Sequence, residues 1–225
     1  MREHMRITID GPAGSGKSTI GERLARRLGY LYVDTGALYR ALTVQALERH
    51  VAPEDADRLG ELAEQTEIAV LPPTVDDGRQ YTVLLEGRDV TPELRSEAVE
   101  QAVPLTSSYP RVRHAMLARQ RALAGAGGVV MVGRDIGTVV LPDADLKIYL
   151  EVDVAERARR RHGDLVARLG AAAPSFEEVR AELAQRDAQD AAKMRPADDA
   201  VRIHTDDLQA DEVVERILGM LGLVA

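Results

Sequence analysis

The chain contains no cysteine, which excludes disulfides and thiolate metal sites. Its lysines number only three, Lys17, Lys147 and Lys193, among 29 basic residues. Generic positive charge is therefore written as arginine, and a lysine at position 17, where a compact ammonium must enter a tight backbone loop, reads as chemistry. The histidines, His4, His50, His114, His162 and His204, are scattered and do not have the spacing of metal ligands. There is no Gly-x-Ser-x-Gly nucleophile elbow, no guanine-reading Asn-Lys-x-Asp segment, no internal repeat and no coiled-coil pattern. A formal net charge of −8 argues against a general nucleic-acid binder, so anionic substrates must be held by a local cluster of arginines. No apolar run approaches the roughly 18 residues of a membrane span. The N-terminus enters a strand almost directly, with Met5 a candidate natural start, so a cytoplasmic protein without nucleic-acid or membrane partners is expected.

What is present centres on residues 11–18. Gly11, Pro12, Ala13, Gly14, Ser15, Gly16, Lys17 and Ser18 match G-x-x-x-x-G-K-[ST], the phosphate-binding P-loop. Its glycines let successive backbone N–H groups turn inward around phosphate oxygens. Lys17 can reach the β/γ-phosphates and the Ser18 hydroxyl can serve Mg²⁺. The β-branched run before the loop predicts a strand. Thr19 to Leu28 predicts a helix whose N-terminus favours anions.

At 225 residues and 45% hydrophobic content, the chain is expected to form a single domain, 1–225, with a smaller insert. Strands are predicted at Ile7–Asp10, Tyr30–Val33, Gly128–Val132, Leu146–Val152 and Val201–His204, with helical stretches between them. This alternation predicts an α/β fold with a parallel five-stranded sheet and helices on both faces. Helix starts are read at Ser108 before Pro110, at Asp153 with Glu156, and at Ser175 with Glu178. Residues 66–95 break the alternation and read as short strands around an Asp76-Asp77-Gly78 turn, the core of a small β insert. The Gly- and Ala-rich stretch 163–174 reads as a mobile flap.

The acceptor has to be sought elsewhere. Asp34-Thr35-Gly36-Ala37-Leu38-Tyr39-Arg40 follows the second strand and can present a hydroxyl and a guanidinium to a second phosphate, or simply cap a helix. Gly133-Arg134-Asp135-Ile136-Gly137-Thr138 closes the third strand, and Asp135 can accept from an exocyclic amine, as carboxylates do from cytosine. Arg157 with Arg160 and Arg161 lies at i, i+3 and i+4 and could face a nucleotide, or a solvated helix face. Arg186, Asp190 and Lys193 share one helical stripe, and Arg113 stands on a third helix. The readings left open are a small-molecule P-loop kinase and a nucleotide-binding module without turnover.

Together with Tyr109-Pro110-Arg111-Val112-Arg113, Arg119-Gln120-Arg121 and Arg186-Asp187-x-x-Asp190, these blocks resemble bacterial cytidylate kinase, in order along nearly the whole chain. The resemblance implies transfer of the γ-phosphoryl of ATP to CMP or dCMP with Mg²⁺. It also implies an NMP-binding insert at 51–103 and a lid at 157–174; a monomer is expected because no conspicuous apolar stripe demands a partner. Residues Gly11 to Ser18 with Thr19 would hold ATP, with Ser18 on the metal and Arg160 and Arg161 as lid arginines. Thr35, Tyr39, Arg40 and Arg134 would grip the CMP phosphate, while Arg113 and Asp135 read cytosine. Arg186 would touch phosphate and ribose, Asp190 the ribose hydroxyls, and Lys17, Arg134, Arg160 and Arg186 would be catalytic. Two positions depart from the family pattern: Pro104 stands where some members place a cytosine-contacting serine, and Lys193, or Arg195, where many have an arginine. A kinase for another nucleoside monophosphate, or for a shikimate-like acceptor, is the alternative.

Overall fold

The computed structural model describes residues 4–191 and 194–223. In chain order the elements are β1 (Arg6–Asp10), α1 (Lys17–Leu28), β2 (Leu31–Asp34), α2 (Thr35–Glu48), α3 (Ala56–Gln65), β3 (Ile68–Leu71), β4 (Thr82–Leu85), β5 (Arg88–Asp89), α4 (Glu97–Thr106), α5 (Pro110–Ala124), β6 (Val129–Gly133), β7 (Leu146–Glu151), α6 (Val154–Leu169), α7 (Phe176–Asp190), β8 (Val201–His204) and α8 (Ala210–Met220). The five predicted strands form one parallel five-stranded sheet in the order β2-β6-β1-β7-β8. Packing divides the described residues into two compact units, one of residues 4 and 29–131, the other of residues 5–28, 132–191 and 194–223.

In the second unit, β1 pairs in parallel with β7, Ile7 opposite Leu146 and Asp10 opposite Tyr149, and β7 with β8. Ile7, Ile9, Ile148 and Leu150 are excluded from solvent, as expected of parallel strands covered by helices. Helix α1 buries Ile20, Leu24 and Ala25 and packs on α8, which buries Val213, Val214, Ile217 and Leu218. Each buried Ile, Leu or Val side chain among them contributes roughly 1.5–3 kcal/mol. The rim of this contact carries the Arg23–Asp211 and Arg27–Glu215 ion pairs. Helices α6 and α7 close a second small core of Ala158, Val179 and Leu183, against which Ala13, Val154, Leu165 and Phe176 pack.

The first unit holds a separate antiparallel sheet, β3-β4-β5, with Val70 opposite Val83 and Leu84 opposite Asp89. The predicted Asp76-Asp77-Gly78 turn lies between β3 and β4. There Asp77 accepts the Arg79 N–H and Gly78 takes a φ of +83°. Residues 51–103 also contain α3 and most of α4. Helix α3 starts at Asp55, whose carboxylate accepts the Arg58 N–H, and buries Leu59, Leu62 and Ala63 at helical spacing.

Two local expectations are corrected. Helix α5 starts at Pro110 with no side-chain cap from Tyr109 before it, and Ser108 is not the cap because its hydroxyl donates back to the Leu105 carbonyl at the end of α4. Asp153 caps α6 through the Ala155 N–H, but no capping box closes with Glu156: the Asp153 N–H is taken by Asp206, and Glu156 by Arg160. The Ser175–Glu178 box does form. The stretch 163–174, read as a flap, is helical to Leu169, and Gly170 turns the chain with a φ of +58°.

Candidate active site

The loop between β1 and α1 has the backbone that phosphate binding demands. Gly11 sits at φ +152°, where an added Cβ would stand 2.7 Å from the Leu150 carbonyl, so a side chain there collides with β7. Gly16 adopts φ +87°, a left-handed conformation that lets the chain enter α1. Two of the loop carbonyls are held. The Pro12 oxygen accepts the Lys17 ammonium at 2.6 Å and the Ser15 N–H at 3.3 Å. The Ala13 oxygen accepts from Arg157 at 3.0 Å. Lys17 and Ser18 open α1, half-buried, while Thr19 is exposed.

Strand β6 delivers Arg134 and Asp135 at its C-terminal end, both half-buried. Behind them Ile136–Val140 form a short π-helical turn, a local widening often found at functional sites. The Asp10 carboxylate holds that turn by accepting the N–H groups of Ile136 at 2.9 Å and Gly137 at 2.7 Å. Burial pushes Asp10 up to about 6. The Gly137 and Ile136 bonds and Lys17 work against burial, whereas the Asp135 charge adds to it.

Arg134 forms an ion pair with Asp190 at the end of α7, so two predicted substrate residues meet. Arg186 is half-buried on the same helix. Arg160 and Arg161 lie on α6, engaged by groups of the fold itself. Arg160 donates to Glu156 at 2.9 Å and to the carbonyls of Thr205 and Asp206, and Arg161 pairs with Glu182 at 3.0 Å. Lys193 lies outside the described residues.

Thr35, Tyr39, Arg40 and Arg113 belong to the first unit. Asp34 is the N-cap of α2, accepting the Gly36 N–H at 2.9 Å. Thr35 is therefore the first helical residue and is buried. Arg40, also buried, folds back along the helix so that its guanidinium passes within 2.9 Å of where a Cβ on Gly36 would be, and pairs with Glu100 at 3.1 Å. Tyr39 on α2 and Arg113 on α5 are half-buried.

Around Arg40 the structure adds residues that sequence reasoning passes over. Glu100 also pairs with Arg95, and Tyr81 is buried nearby, its phenol pushed up to about 12 by burial and by the Asp34 charge, against Arg95 and Arg40. No spacing signals this group, because α2, the residue before β4, the turn before α4 and α4 itself supply it from separate parts of the chain. Among the described residues, no group of three or more His, Asp or Glu is arranged to hold a metal ion.

A sequence model of the cytidylate kinase family matches residues 7–222. The chain is 52% identical to a cytidylate kinase of Herpetosiphon aurantiacus over 97% of its length and 95% of that protein's. It is 50% identical to a cytidylate kinase of Roseiflexus castenholzii, covering 96% and 93%. In fold it is similar to a shikimate kinase of Bacteroides thetaiotaomicron (TM-score 0.52, 15% identity, 97% and 99% covered) and a gluconokinase of Sinorhizobium meliloti (0.50, 15%, 99% and 94%).

Proposed function

The chain belongs to the cytidylate kinase family, and we propose that it transfers the γ-phosphoryl group of ATP to CMP or dCMP, giving ADP and CDP or dCDP. One observation carries this reading beyond family membership. The phosphate loop and the Arg134–Asp135 segment are tied together by Asp10, which ends the strand before the loop and grips the turn after the segment.

In this reading the loop from Gly11 to Thr19, through backbone N–H groups, and the Lys17 ammonium hold the ATP phosphates. Thr35, Tyr39, Arg40 and Arg134 are assigned to the acceptor phosphate, Asp135 to the cytosine amine, Arg113 to the base, and Asp190 and Arg186 to the ribose. Lys193 is assigned to the acceptor phosphate from the sequence alone. Two anions must be brought close for in-line transfer, and guanidinium groups offset their repulsion and the charge spread over the moving group. The fixed arginines supply orientation without a covalent intermediate.

The donor set suits Mg²⁺ that arrives with the nucleotide. A hydroxyl at Ser18, with no carboxylate cluster among the described residues, is the sparse oxygen environment Mg²⁺ takes when phosphates and water fill its octahedron. Bound there, it would neutralise charge on the β- and γ-phosphates. Arg160 rests on the carbonyls of Thr205 and Asp206. Closure over the substrate would exchange those partners for phosphate oxygens and exclude water. The monomer suffices for this chemistry.

The test is the fate of the label from γ-radiolabelled ATP with CMP present. Label recovered in CDP supports transfer; label released as free phosphate contradicts it.

A further inference from the structure

Arg157 opens a run of arginines that the sequence alone can turn toward a nucleotide, yet its side chain is only 4% exposed. From the first turn of α6 it points into the fold. Nε donates to the Val152 carbonyl at 3.3 Å, Nη1 to the Ala13 carbonyl at 3.0 Å and to Asp187 at 3.1 Å, and Nη2 to Asp187 at 2.5 Å. A buried guanidinium costs several kcal/mol unless fully paired. Here the planar fork is spread over one carboxylate and two carbonyls, a geometry lysine cannot reproduce.

The Ala13 carbonyl belongs to the phosphate loop. A loop that turns its N–H groups toward an anion must turn carbonyls outward, and an outward carbonyl without a partner leaves its peptide free to rotate. Lys17 and Ser15 hold the Pro12 carbonyl, and Arg157 holds the next one. Gly14 lies against the same side chain, where an added Cβ would stand 3.5 Å from the Arg157 Cβ. On the far side Asp187 sits on α7 next to Arg186 and one turn before Asp190, which pairs with Arg134.

We propose that Arg157 is a positioning residue. Its fork holds the Ala13 carbonyl outward and, through Asp187, locks the phosphate loop to α7, so that one buried ion pair sets both the loop and the placement of Arg186 and Asp190. Arg157 touches no reacting atom. The inference rests on reading the loop as the ATP site.

The test compares the native chain with Asp187→Asn and with the double variant Arg157→Met/Asp187→Leu. KM for ATP, KM for CMP and kcat are measured well below each protein's unfolding temperature, alongside ATP affinity by calorimetry. The double variant leaves no unpaired charge, so its unfolding temperature should stay near the native value, because apolar pairs replace buried ion pairs with little loss. Its kcat/KM for ATP should nevertheless fall on the order of tenfold, with weaker ATP binding, since displacement of a positioned group costs rate. Asp187→Asn should move the same constants in the same direction by a smaller factor.

Native constants and ATP affinity in both variants would reduce the pair to a structural role and overturn the proposal. If the double variant also loses stability, Asp187→Asn, which preserves shape, decides: weaker ATP binding supports the proposal and native binding overturns it. A native chain that neither binds ATP nor turns it over would overturn the ATP-site reading itself, and this inference with it.

Discussion

Asp10 accepts the N–H of Gly137 at 2.7 Å, joining the end of the strand before the phosphate loop to the turn behind Arg134 and Asp135. There is no slack in this contact. A Cβ on Gly137 would stand 3.0 Å from the Thr8 hydroxyl and 3.3 Å from the Asp10 carboxylate. Two segments to which the proposed function gives different tasks are thereby held together within the second unit.

Burial raises Asp10 from the ordinary 3.8 to about 6, so the folded chain binds its proton more tightly than the unfolded chain does. The stabilisation linked to that proton is complete below the unfolded value and is lost as pH rises through the folded one. Asp10→Asn cannot titrate. The stability of the native chain relative to Asp10→Asn should therefore decrease by on the order of 2–3 kcal/mol from about pH 4 to pH 7. Urea unfolding at several pH values measures this, and a pH-independent difference would contradict it.

Gly11→Ala places a methyl group 2.7 Å from the Leu150 carbonyl in a backbone conformation that L residues rarely adopt. Strain of about 1–3 kcal/mol should appear in the unfolding free energy. ATP affinity should fall at the same time, because relief of the clash moves the loop. Calorimetric titration with ATP checks the second effect; unchanged affinity would show that the loop does not bind phosphate.

Asp135→Ala should lower kcat/KM for CMP and narrow the preference for CMP over UMP, since uracil offers a carbonyl where cytosine offers an amine. A site built to bond a polar group discriminates strongly, so a change on the order of 100-fold in the ratio is expected. A ratio that survives the substitution would remove Asp135 from base recognition.

Leu24→Ala, at a fully buried position of α1, should cost about 2–5 kcal/mol by opening a cavity. The kinetic constants of the remaining folded enzyme should be preserved. Denaturant unfolding and a parallel assay separate the two effects.

The five strands of the main sheet are legible in the sequence because each is a short apolar, β-branched run between turn residues. Their ends shift by a residue where backbone geometry decides. Gly127 and Gly128 take φ values of +73° and +66°, so β6 starts at Val129. The phosphate loop is legible because its spacing is a backbone requirement. The helices α4 and α8 are not: α4 carries Pro104 in its last turn, and α8 shows its apolar face only once α1 is there to cover it. Arg157 is read toward a nucleotide because a run of arginines does not say which helix face is inside. Asp187, which answers that, lies 30 residues away. Tyr81, Arg95 and Glu100 around Arg40 escape for the same reason, since their proximity is a product of the fold.

The measurement that tests the account most directly is acceptor-dependent ADP release from ATP and Mg²⁺, with CMP, dCMP, UMP, AMP, GMP and shikimate offered separately. The account predicts turnover strongest with CMP or dCMP. Preferential turnover of another acceptor, or ATP binding without acceptor-dependent ADP, would contradict it.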